Sequence, residues 1–193
     1  MAKTLPNDIK KKVQEAVFRK ADEFCYANCG RNESGMFMDR LVEDPEVGGV
    51  LKEFLPKERV RTYIKDGILN AYTKSLTKSE LRALTPERVI NNVFGEKANV
   101  IQKLRMKQSV AFVLRSDSGT IYVVSEGSVL KWETSLRKAL EIIANEPNLI
   151  VDGKSPLICL KLSLVRSSLT EAEKNHIITA LKAVGVNVVF CGN

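Results

Sequence analysis

The side chains with the clearest chemical meaning in this sequence are its cations. Arg59, Arg61, Lys65, Arg82 and Arg88 fall on successive helical stretches. Lys97, Lys103, Arg105 and Lys107 follow in a segment that holds no acid. Cations gathered on one face neutralise phosphates along a nucleic-acid backbone. Tyr63, Tyr72 and Trp132 offer rings for base stacking, although Tyr72 also fits the apolar stripe of its helix. No base-reading helix-turn-helix or RNP signature accompanies them. Other chemistries find less. Asp152-Gly153-Lys154-Ser155 contains Gly-Lys-Ser without the upstream glycine of a phosphate loop, and a strand rather than a helix follows it, so it reads as a turn. His176, the single histidine, sits in an amphipathic helix and suggests no nucleophile–histidine pair. Cys25 and Cys29 are four apart, but Cys159, Cys191 and His176 supply no second pair of zinc ligands.

Asp117 immediately precedes one strand-like run, and Lys161 lies inside another, Ile158-Cys159-Leu160-Lys161-Leu162-Ser163. With these residues, the order hairpin, strand, helix, strand resembles the core of the PD-(D/E)XK, or restriction-endonuclease-like, family. The resemblance implies a metal-dependent nuclease. Two carboxylates would hold Mg²⁺ against the scissile phosphate, and a lysine would orient or activate the attacking water. Lys161 matches the motif lysine and Asp117 the first acid. Cys159 stands where the second acid belongs, and a thiol is a poor ligand for Mg²⁺. Glu126 and Asp152 are the possible substitutes.

The elements that must position these groups are legible from periodicity. A helix starting at Asn7 or Asp8 carries Ile9, Val13, Val17 and Ala21 on one face and ends near Gly30. Arg31–Gly35 reads as a loop, a short helix precedes Asp44-Pro45, and Gly48-Gly49 loosens the chain. A longer helix follows Pro56, another opens at Thr77 or Ser79, and Thr85-Pro86 starts one that Gly95 stops. Residues 97–107 fit an amphipathic turn or two. From Gln108 the pattern becomes strand, strand, helix, strand, helix, strand. The capping box Thr170/Glu173 opens the last helix. The expectation is an α+β or α/β fold in which a helical basic lobe, 1–107, packs on a small mixed sheet, 108–193, as one compact unit.

The 193 residues are 44% hydrophobic and 27% charged, an ordinary globular composition that excludes collagenous, disordered and membrane-embedded classes. No apolar run approaches the roughly 18 residues that span a bilayer. The start lacks a secretory core, and four cysteines are too few for a disulfide framework, so a cytoplasmic location with reduced thiols is expected. Residues 1–107 hold 21 basic and 15 acidic side chains, a net of +6. Residues 108–193 hold 9 and 8, a net of +1. This asymmetry points to DNA or RNA as partner. The rivals are a non-catalytic interaction protein, such as an inhibitor or immunity factor that binds an acidic partner, and a small-molecule enzyme working near Ser167 and Cys191.

Overall fold

The structure is a computed structural model that describes residues 5–106 and 109–192. The chain is α+β, with helices towards its N-terminal end and a five-stranded mixed sheet. It divides into two compact units, Met1–Leu76 with Val165–Ser168, and Thr77–Leu164 with Leu169–Asn193. The sequence boundary at 107/108 therefore falls inside the second unit.

The first unit begins with α1 (Asn7–Glu23), whose 3.6-residue stripe buries Val13, Val17 and Ala21. α2 (Arg31–Glu43) starts where the polar sequence reads as a loop. The reason is a cap. The Gly30 N–H donates to the Glu33 carboxylate at 2.9 Å, so the polar residues hold the helix end instead of leaving it. Gly48-Gly49 does not loosen the chain either. Pro45–Gly49 forms a π-helical turn in which Gly48 packs so closely that a Cβ there would lie 1.9 Å from the Val42 carbonyl oxygen. After α3 (Val50–Lys52), α4 (Lys57–Thr62) continues through a second π-helical turn, Tyr63–Leu69, into α5 (Asn70–Ala83). The separate helix expected from Thr77 or Ser79 is thus the second half of α5. Val13, Val17, Leu41, Leu51, Ile64 and Leu69 are fully buried in this unit.

Arg166 belongs to the same unit although it lies far along the chain. Its N–H donates to the Ala27 carbonyl at 2.6 Å, its guanidinium to the Tyr26 carbonyl at 3.1 Å, and it stacks 4.2 Å from the centre of the Tyr26 ring. Its φ of +64° is the left-handed conformation that this anchoring imposes.

The second unit contains the end of α5, α6 (Pro86–Phe94), β1 (Ala98–Met106), β2 (Ser109–Ser116), β3 (Ile121–Ser128), α7 (Trp132–Asn145), β4 (Leu157–Ser163), α8 (Glu171–Lys182) and β5 (Val186–Cys191). The strands lie in chain order, β1 to β3 antiparallel and β3 to β5 parallel. The expected order lacks β1, because 97–107 reads as helix. A bulge explains the misreading. The register shifts between Val100 and Gln102, which inserts Ile101 and gives Val100, Ile101 and Leu104 a helix-like spacing within a strand. One sheet face packs under α7 and α8 through Val123, Leu160, Leu162, Ala139 and Ile142. The other packs under α6 through Leu114, Tyr122, Val124, Cys159, Val89 and Ile90. Both faces are covered, so the central strands are nearly all apolar. Among the described residues no helix is long and apolar enough to cross a membrane.

Gly48→Ala forces its new methyl against the Val42 backbone and lowers stability by about 2 kcal/mol or more. Gly49→Ala, with nothing closer than 3.7 Å, costs far less. Paired urea titrations of the two variants check this difference.

Candidate functional site

Period-two alternation places Glu126, Lys161 and Ser163 on the α6 side of the sheet, and parallel register sets Glu126 directly beside Lys161 and Ser163 beside Cys191. Lys161 is only 1% exposed. Its ammonium donates to Glu126 Oε1 at 2.7 Å and to the Leu81 carbonyl oxygen. Leu81 lies in the last turn of α5, where carbonyls have no partner within the helix and the dipole is negative, so the ammonium acts as a cap from the sheet. The neighbouring Glu80 accepts from Ser163 Oγ at 2.6 Å and from the Leu164 N–H at 3.2 Å. A Cβ at Gly192 would approach Glu80 Oε1 to 2.4 Å, and the φ of +96° there is one that a residue with a side chain rarely adopts. The Cys191 thiol completes the group. Burial pushes its pKa up, Lys161 pulls it down, and Glu80 and Glu126 push it up again. Two carboxylates, one ammonium, a hydroxyl and a neutral thiol thus meet at the carboxyl ends of β4 and β5, the end of an open sheet that most often carries function.

Of the four expected catalytic residues, the structure brings together Glu126 and Lys161 and leaves out the other two. Asp117 is exposed in the turn before β3, five residues of strand from Glu126, or roughly 16 Å. It lines a shallow depression of about 350 Å³ with Glu96, Lys97 and Ser118. There the hydroxyls of Ser116, Tyr122 and Ser118 hold the Glu96 carboxyl below the usual carboxylate range. Asp152 is exposed in a tight turn closed by Val151 and Lys154, ahead of the amino end of β4. Both acids therefore sit at the opposite end of the sheet from Lys161. Among the described residues no three His, Cys, Asp or Glu side chains are placed to hold a metal ion. The Mg²⁺ implied by the nuclease resemblance thus has no donor set, and no step is derived through it. Glu80 was the residue that sequence reasoning missed, since nothing in a helix eighty positions away marks it. Ser163 and Cys191 were legible in principle, Ser163 as the next residue after Lys161 on the same strand face.

The expected phosphate contacts divide between the units. Arg59, Arg61 and Lys65 are exposed on the first, where Arg61 is paired with Asp39 at 2.8 Å. That unit is rich in such pairs, including Arg19–Glu46, Lys20–Asp44 and Lys52–Glu43. Counted by unit, the charge is 15 basic and 12 acidic side chains in the first (+3), against 15 and 11 in the second (+4). The asymmetry of the linear sequence therefore vanishes. Arg82, Arg88, Lys97, Lys103 and Arg105 are exposed on the second unit. Lys103 and Arg105 alternate along β1 opposite Phe112 and Val110, on the α6 side, and the Lys103 ammonium sits 5.2 Å from the centre of the Phe112 ring. Lys107 lies outside the described residues. Tyr72 is buried and bonded to Asp22, while Tyr63 and Trp132 are half-buried against the two cores. Base stacking on these rings is not what their packing serves. Comparison with protein-family models, curated proteins and solved structures found no significant match.

Removing one member of the buried pair leaves the other stranded. Lys161→Met lowers stability by about 3–5 kcal/mol, and adding Glu126→Gln recovers part of the loss. A double-mutant cycle in urea measures both. The thiols give a second test. Burial raises Cys29 and Cys191 and carries Cys159 up to about 12, while Cys25 is exposed. A disulfide reagent at neutral pH modifies Cys25 rapidly and the other three only on unfolding.

Proposed function

We propose that the protein is a cytoplasmic nucleic-acid-associated protein that docks a phosphodiester backbone on the α6 side of its sheet unit, along β1, without cleaving it. The observation that carries this reading is the pairing state of the cations. In the helical unit Arg19, Lys20, Lys52 and Arg61 are tied to carboxylates. Along β1, Lys103 and Arg105 are exposed and have no carboxylate within 4.0 Å among the described residues. A cation free of a partner can release phosphate-bound counterions on docking, whereas a paired one must first break its own ion pair. Register places Arg105 one pair beyond Leu104↔Ala111, in the same cross-strand row as the Glu126–Lys161 pair. A bound strand would thus run past the site that the nuclease resemblance singles out. Lys161 offers it no catalytic help, because its ammonium is committed to Glu126 and the end of α5.

Fluorescence anisotropy with labelled single- and double-stranded oligonucleotides tests this directly. Binding weakens steeply with salt, and Lys103→Glu/Arg105→Glu lowers the log–log slope by about 1.5–2. Lys52→Glu/Arg61→Glu, at cations already paired with acids, changes it less. Absence of binding at low salt overturns the proposal, and so does Mg²⁺-dependent cleavage that Lys161→Met abolishes.

A further inference from the structure

Beside the unpaired cations of β1 lies an aromatic ring that the protein covers only in part. Register sets Phe112 of β2 directly opposite Lys103, with Val124 of β3 on its other side. All three point to the α6 side of the sheet. Phe112 packs inward against the cluster that holds Leu114, Tyr122, Val124, Val89 and Ile90. It stays half-buried, and over its ring lies the Lys103 ammonium, 5.2 Å from the ring centre. Lys103 is itself exposed, and a cation–ring contact is weak where water reaches the cation. Ammonium and ring therefore separate readily when a better partner for each arrives.

We infer that the strand docked on this surface is single-stranded, with phosphates on Lys103 and Arg105 and one base laid on the Phe112 ring in place of the Lys103 ammonium. The inference rests on the phosphate docking proposed above and adds the class of nucleic acid. The placement of ring and cations selects it. Lys103 and Arg105 stand two residues apart on one strand face, so their charges form a row parallel to β1. Phe112 lies one strand further in, about 4.8 Å to the side of that row. A backbone held along the edge strand carries its bases inward over β2, and Phe112 is the ring beneath them. On docking, the ammonium exchanges the ring for a phosphate, and the base takes the ring face that the ammonium leaves. Only an unpaired, unstacked base has a flat face to give. A duplex keeps those faces between its own base pairs, so it engages the cations and leaves the ring unused. An acidic protein segment would likewise meet the cations alone.

Fluorescence anisotropy of the full chain tests the inference with probes of equal length: single-stranded oligo-dT, the same backbone with abasic residues throughout, and oligo-dT paired with oligo-dA. Oligo-dT binds about tenfold or more tighter than the abasic strand, which carries the same phosphates without bases. Phe112→Leu keeps an apolar side chain against the α6 cluster and removes the flat face. It lowers oligo-dT affinity by about the same factor at every salt concentration and leaves the log–log slope unchanged, because no cation is lost. Its affinity for the abasic strand and the duplex stays that of the unaltered chain, and Phe112→Tyr restores oligo-dT binding. Should Phe112→Leu fail to fold, the contrast between oligo-dT and the abasic strand on the unaltered chain decides. Equal affinity for those two strands, or a Phe112→Leu loss that extends to the abasic strand or the duplex, overturns the inference and leaves phosphate docking standing. Absence of binding to every probe at low salt overturns docking and inference together and leaves the cations to an acidic protein.

Discussion

A lysine ammonium buried in a β-sheet must find full compensation within the protein, and in this one the surrounding structure is arranged to supply it. Transfer of an isolated ammonium into a low-dielectric interior costs several kcal/mol even after relaxation. Lys161 meets that cost with one carboxylate and one helix-terminal carbonyl. The carboxylate fixes the register of β3 on β4, because a slip of one residue would turn Glu126 to the opposite face. The carbonyl fixes the end of α5 on the same face. Glu80, one residue earlier in that helix, then reaches the Ser163 hydroxyl and the Leu164 N–H and ties down the chain leaving β4. Strand register, helix end and loop are set together by the need to neutralise one charge.

The parts of this arrangement that follow a local rule were legible in the sequence. The β-branched runs of β2 to β5 alternate or stay apolar over strand lengths, and Thr170/Glu173 signals the start of α8, which the structure shows with both capping bonds formed. Lys161 and Glu126 could be singled out because ionisable groups in or beside apolar strands are unusual. Where the sequence reading failed, two rules competed for the same residues. The bulged Ile101 turned a two-residue period into an apparent helical one, and the polar Arg31–Gly35 segment met a loop criterion while Glu33 was acting as a cap. Glu80 obeyed no local rule at all. Its role comes from a contact eighty-three positions away in the chain, and an amphipathic helix gives no sign of which exposed-looking acid will be covered.

Charge shows the same difference between chain and space. A boundary drawn at 107 assigns the cations of α5, α6 and β1 to the helical half and makes that half look like a polyanion receptor. The compact units divide the charge almost evenly. What differs locally is the pairing of particular cations. In the helical unit Arg19, Lys20 and Lys52 reach Glu46, Asp44 and Glu43, and such surface pairs hold side chains in place for little net energy. On β1, Lys103 and Arg105 are exposed and form no ion pair among the described residues, and Lys103 rests on the Phe112 ring instead. Edge protection and the proposed phosphate docking would make the same demand on that strand, for both call for unpaired cations at regular spacing.

The buried pair also bears on what the resemblance to a nuclease can mean. A catalytic lysine in that chemistry has to meet water or phosphate with at least one free N–H. Here Leu81 covers the ammonium on one side and Glu126 occupies it on another, and 1% exposure leaves no path for a substrate atom. Withdrawal of the last turn of α5 would strand the ammonium, the Leu81 carbonyl and the Glu80 carboxylate at once. Each is a buried polar group whose lost partner costs about 1–3 kcal/mol or more. The closed arrangement is therefore the stable one, and the acid and lysine that look catalytic on paper spend their charge on holding the sheet and helix together.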